Sequence, residues 1–218
     1  MDISISPLIK YFLTQGVPLE TIALLLMLPI IATFIAFLRQ VVGIKAFGVY
    51  TPLIITFAFL ATNGIKYGII IFLAVIVSGM LMRFILKPFR LLYLPRVAIM
   101  LSVVAIVILF MLALGGSARR TGLASVSIFP ILIMITLVEK FVTVQIEKGN
   151  RTALILTLET LVISIVGYYI ASWEPLIRLL VEMPWVVLLT IPIDILLGKW
   201  TGLRLGEYWR FRKIIKNI

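Results

Sequence analysis

The sequence contains no cysteine and no histidine. Their absence excludes disulfides, Cys/His metal sites, histidine-ligated haem, thiolate nucleophiles and any triad whose base is an imidazole. Acids are scarce as well, nine Asp and Glu against twenty Lys and Arg. They are Asp2, Glu20, Glu139, Glu147, Glu159, Glu174, Glu182, Asp194 and Glu207, scattered without the spacing of an EF-hand. Neither a Walker loop nor a GxGxxG turn is present. Any catalysis would rest on carboxylates, Lys, Arg, Tyr or hydroxyls, and no motif collects them. The expectation is a non-enzymatic protein with no cofactor and no metal.

Charge of either sign is sparse: charged residues make up 13% of the 218, hydrophobic ones 62%, and the mean hydropathy is +1.20. A water-soluble globule of this composition lacks the polar side chains to cover its surface. Disorder is excluded because little here resists collapse. The chain therefore reads as an integral membrane protein. Its net charge of +11 is topological, since basic residues gather in cytoplasmic segments and face anionic lipid. A nucleic-acid partner is not expected.

A hydrocarbon core about 30 Å thick needs about 20 apolar residues per helix. Seven segments meet that need, roughly 19–38, 46–62, 67–86, 96–114, 122–143, 152–171 and 184–200. They are too long for strands and do not alternate strictly, which rejects a closed barrel. The fold class expected is all-α, a single seven-helix transmembrane domain over 1–218. Asn63-Gly64, Lys87-Pro88, Leu94-Pro95, Gly115-Gly116-Ser117 and Lys148-Gly149-Asn150 punctuate the joints. Trp173-Glu174-Pro175 opens a short stretch expected to lie along the interface, and Pro184 suits the first turn of the last helix. Pro29, Pro52, Pro130 and Pro192 fall inside spans and are expected to remove backbone hydrogen bonds there.

Orientation follows from the bases. Segments after helices one, three, five and seven hold fifteen Lys and Arg; the opposite side holds Lys10, Lys66, Arg119, Arg120 and Arg178. The N-terminus is thus expected outside and the C-terminus in the cytoplasm, in a multi-pass cell-membrane protein. Glu139, Glu159 and Asp194 fall near or inside spans, at a depth comparable with Arg83, Arg96 and Lys140. A carboxylate facing lipid costs several kcal/mol, so these groups are expected to turn inward. They form either an ion or solute pathway or a set of interhelical ion pairs. The last helix has no lysine before Lys199, which disfavours a retinal Schiff base. Gly198, Gly202 and Gly206 recur every four residues, as close helix contact or a simple loop would have it. Residues 203–218 interleave Leu205, Trp209, Phe211 and Ile214 with Arg204, Arg210, Arg212, Lys213 and Lys216. That pattern suits a basic amphipathic cytoplasmic tail facing anionic lipid or a partner.

Four ordered runs carry a further likeness. They are GIKAFGVYTPLIITFAF from Gly43 to Phe59, LPRVAIMLSVVAI from Leu94, SIFPILIMITLVEKF from Ser127 to Phe141, and LLGKWTGLRLGEYWRFR from Leu196 to Arg212. In order and spacing the set resembles a bacterial and archaeal family of seven-transmembrane-helix domains usually fused to an inactive transglutaminase-like domain. The matching motif residues here include Pro52, Pro95, Arg96, Pro130, Glu139, Thr201, Gly202 and Arg204. The resemblance implies a seven-helix bundle with its N-terminus outside and association with ATP-grasp ligase-like proteins, hence with peptide modification. It assigns no catalytic residue to the bundle. About eighteen residues precede the first span, so the membrane domain alone is expected here. The leading function expected is a scaffold or partner module for a peptide-modifying system; the other is a transporter or channel for a small anionic solute.

Overall fold

The computed structural model describes residues 6–62, 64–86, 88–89, 92–117 and 128–199, and within these all regular structure is helical. The chain divides into two compact units, Met1–Leu53 with Tyr169–Ile218, and Ile54–Tyr168.

The first unit begins with α1 (Pro7–Thr14), whose proline occupies the opening position where a missing N–H costs nothing. Gly16, at φ 84, turns the chain into α2 (Leu19–Phe37). α2 is apolar on every side, as suits a helix wrapped by lipid and other helices, and it carries Pro29 inside it. A π-turn, Leu38–Val42, extends its end. The unit is completed from the other end of the chain. Helix Glu174–Glu182, amphipathic, sets Ile177, Leu180 and Val181 inward, and Val181 joins Ile9 and Ile22 in a small apolar core. The Ser6 N–H donates to the Val181 carbonyl at 3.3 Å, tying the two chain ends together. On its outer side Arg178 pairs with Glu174 at 3.0 Å, an exposed contact worth little.

Met183 then leaves the helical conformation, at φ -130 and ψ 72, ahead of Pro184, which disfavours helical backbone in the residue before it, and the following segment turns by 103°. That segment is a 3-10 helix, Pro184–Leu189, followed by Thr190–Gly198. An uninterrupted α-helix over 184–200 is thus not what forms among the described residues. Pro192 has no N–H to offer the carbonyl four residues earlier, and the preceding turns wind tighter.

In chain order the second unit supplies α3 (Tyr50–Ala61), which starts in the first unit, then α4 (Ile65–Leu86), α5 (Tyr93–Ser117), α6 (Ile128–Lys148) and α7 (Asn150–Ala171). Glu174–Glu182 is α8 and Thr190–Gly198 is α9. Helix α3 begins at Tyr50 rather than near residue 46, because 46–49 are turns. Pro52 therefore lies in a first turn, where its missing N–H breaks no intrahelical bond. Helices α4, α5 and α6 pack pairwise around Phe72, Val75, Met100, Val104, Met134 and Phe141. Phe59 meets Phe72 edge-on at 6.4 Å. Hydroxyls within the apolar helices are satisfied by their own backbones: Ser78 donates to the Ala74 carbonyl, Thr157 to Ala153, Thr160 to Leu156 and Ser164 to Thr160. No hydroxyl of that group is left bare in lipid.

Five described helices are long and apolar enough to cross a membrane: Leu19–Val42, Ile65–Leu86, Leu94–Ala113, Ile128–Lys148 and Asn150–Ala171. The bent pair Glu174–Glu182 and Pro184–Gly198 makes a sixth if taken as one span, and Tyr50–Ala61 is a shorter apolar helix. This is a multi-span membrane protein.

Candidate functional site

The first unit encloses an open cavity of about 610 Å³. One wall is α2, which presents Ala32 and Ala36, side chains too short to fill the space before α9. The opposite wall is α9, with Asp194, Leu197 and Gly198. The floor comes from the segment between α2 and α3: Arg39 and Gln40 on the π-turn, Ile44, Lys45 and Val49 beyond it, and Tyr50 at the head of α3.

Local backbone geometry puts these groups there. The N–H groups of Gly43 and Ile44 both donate to the Leu38 carbonyl, at 3.0 and 3.2 Å, which closes the wide turn. Gly43 permits this because its φ is 92°, in the left-handed region. Three residues on, Ala46 holds φ 39 without a glycine's freedom, a strained conformation directly after Lys45. π-turns and strained loops concentrate at functional sites, where they aim side chains that a regular helix would aim elsewhere. Across the cavity, the buried Thr33 hydroxyl donates to Asp194 Oδ2 at 3.0 Å and fixes the carboxylate. The site thus offers an anchored anion, the two cations Arg39 and Lys45, and polar contacts from Gln40 and Tyr50. These are the parts of a binding pocket for a polar, charged group.

Of the six residues expected to form an intramembrane polar cluster, Asp194 lines this cavity. Arg83, Arg96, Glu139, Lys140 and Glu159 belong to the second unit. There Arg96 on α5 and Glu159 on α7 are half-buried, whereas Glu139 and Lys140 on α6 are exposed. The expectation that all three acids turn inward therefore fails at Glu139. The buried stripe of α6 runs through Met134, Leu137, Val138, Phe141 and Val142, and it leaves 139 and 140 on the far side. The tail residues Arg204, Arg210, Arg212, Lys213 and Lys216 lie outside the described residues, as do Gly202 and Gly206. A Cβ built on Gly198 would meet nothing within 4 Å. Among the described residues no three of Asp and Glu gather in a way that could hold a metal ion.

Thr33, Gln40 and Tyr50 were not singled out by the sequence, and Arg39 and Lys45 counted there only toward orientation. A signal was present in the depth of the residues. Arg39 and Lys45 follow the first span at the end where Asp194 and Lys199 leave the last one.

Residues 5–215 match the family described as seven transmembrane helices usually fused to an inactive transglutaminase. No curated protein and no solved structure matches the chain.

Proposed function

Because this chain belongs to the family of seven transmembrane helices usually fused to an inactive transglutaminase, we propose that it is a non-enzymatic membrane module, the scaffold or partner of a peptide-modifying system. In that reading seven helices cross the cell membrane of a bacterium or archaeon, with the N-terminus outside. The seventh and second crossings are the bent segment and the short helix Tyr50–Ala61. The observation that carries the reading is the family's habit of fusion to a transglutaminase without activity. A membrane domain kept beside a catalytically silent domain points to assembly rather than turnover. A sequence without His or Cys agrees, since it lacks a thiolate nucleophile and the commonest general base.

The partner we propose is an ATP-grasp ligase-like or transglutaminase-like protein, met on the cytoplasmic side by the basic tail, which also faces anionic lipid. The test is reconstitution of the purified chain in anionic nanodiscs with a purified ATP-grasp ligase-like protein from the same organism. Co-elution on size exclusion is expected, and it should be lost when Arg204, Arg210, Arg212, Lys213 and Lys216 are changed to Gln. Equal elution profiles with and without the membrane protein would remove the partner role.

The cavity favours a second reading, a transporter or channel for a small anionic solute, through the cations Arg39 and Lys45. Proteoliposomes would then take up glutamate or phosphate, and Arg39→Gln would stop them. Uptake equal to that of empty liposomes would leave the module reading alone.

A further inference from the structure

In the cavity of the first unit, Arg39 and Asp194 line one space without being joined to each other. Among the described residues, the Arg39 guanidinium takes part in no hydrogen bond or ion pair, and Asp194 accepts its hydrogen bond from Thr33. Unit charges attract strongly where water is partly excluded, so a purely structural acid and base at this depth are expected to close into a pair. Here the backbone keeps them apart. Asp194 is held by the Thr33 hydroxyl on one wall, while the π-turn, closed at the left-handed Gly43, holds Arg39 on the floor. Ala32, Ala36 and Gly198 keep the space between them clear.

A group that satisfies this arrangement carries an anion and a cationic donor a short distance apart. A phosphate joined through two carbons to a primary ammonium separates them and gives the cation three N–H donors for Asp194. The cavity also lies where the first and last apolar helices end in Arg39, Lys45 and Lys199, the depth at which lipid headgroups sit.

We infer that this cavity is a binding site for a phosphoethanolamine group, its phosphate at Arg39 and Lys45 and its ammonium at Asp194. The group comes either on an ethanolamine phospholipid or free as O-phosphoethanolamine. A phosphate is the better anion for Arg39 because the planar guanidinium matches two of its oxygens at once. A choline headgroup keeps the phosphate but has no N–H to give Asp194, and a glycerol headgroup has no cation.

The inference is independent of the partner reading, and its test uses the full chain alone. The protein is purified in detergent and exchanged into nanodiscs of mixed phosphatidylethanolamine, phosphatidylcholine and phosphatidylglycerol, and bound lipid is read by native mass spectrometry. Retention of the ethanolamine lipid over the choline lipid by about tenfold is expected, the value of one charge-assisted hydrogen bond. Asp194→Asn should abolish that preference, Arg39→Gln should lower retention of both lipids, and Ala36→Leu, which narrows the cavity, should lower retention of both as well. Glu139→Gln, in the other unit, should change nothing. If Asp194→Asn does not fold, Thr33→Val serves in its place by freeing the carboxylate, and the preference should fall. A soluble source would appear as binding of O-phosphoethanolamine, abolished by Asp194→Asn, in discs of choline lipid only, with no enrichment of the ethanolamine lipid. Equal retention of ethanolamine and choline lipids together with no binding of O-phosphoethanolamine would overturn the inference, as would a preference that survives both Asp194→Asn and Thr33→Val.

Discussion

Thr33 and Asp194 stand 161 positions apart and meet through one hydrogen bond of 3.0 Å. Removing the hydroxyl leaves a carboxylate oxygen without its donor, and Thr33→Val is expected to cost about 1–3 kcal/mol. Thermal unfolding in detergent measures this, and Thr33→Ser, which keeps the donor, should unfold near the parent temperature. The sequence made Asp194 conspicuous because an acid in an apolar run is costly. It could not make Thr33 conspicuous, since a threonine in a membrane helix ordinarily bonds its own backbone, as Thr157 and Thr160 do. Glu139 illustrates the converse. Its depth was legible, but its facing depends on which stripe of α6 is buried, and α6 is apolar on both sides of that residue.

For the elements, the sequence located helices well and their ends less well. Composition is enough to place Ile65–Leu86 or Asn150–Ala171, because a long apolar run in lipid has no alternative to a helix. The late start of α3 at Tyr50 and the tight winding of 184–189 depend on local backbone geometry that an apolar count does not register. Close contact between elements is equally hidden. A Cβ at Gly68 would lie 2.5 Å from Phe59 Cδ1, and one at Gly167 would lie 2.6 Å from Thr56 Oγ1. Both glycines let neighbouring groups approach where a methyl would collide. Gly68→Ala and Gly167→Ala should each destabilise by about 1–3 kcal/mol through overpacking. Gly198→Ala, with open space around it, should leave the unfolding temperature unchanged or slightly raised. A parallel fall in all three variants would contradict this account.

At the scale of the whole molecule, the absence of cysteine becomes an experimental convenience. Single cysteines introduced at Asp2 and at Asn217 test the proposed sidedness with an impermeant maleimide on intact cells. Label at the first and silence at the second is expected, with both reacting after permeabilisation; the reverse pattern would invert the orientation. The division into two units also bears on what the sequence made readable. Depth along a helix can be reckoned residue by residue, and by that reckoning Asp194 and five other charged residues share a level. Which of them share a neighbourhood depends on chain topology, and the structure gives Asp194 to a unit built from both ends of the chain.

The bent final segment has a consequence for the lipid it inhabits. Its described arm beyond the bend has six residues in 3-10 and nine in α geometry, together about 25 Å long. Helix α3, of twelve residues, reaches about 18 Å. If both cross, each falls short of an average hydrocarbon thickness of about 30 Å, and the surrounding acyl chains must compress to meet them. The protein should accordingly unfold at its highest temperature in nanodiscs of shorter-chain phosphatidylcholine and lose stability as the chains lengthen. Such a preference would sort it toward the thinner regions of whatever membrane it occupies.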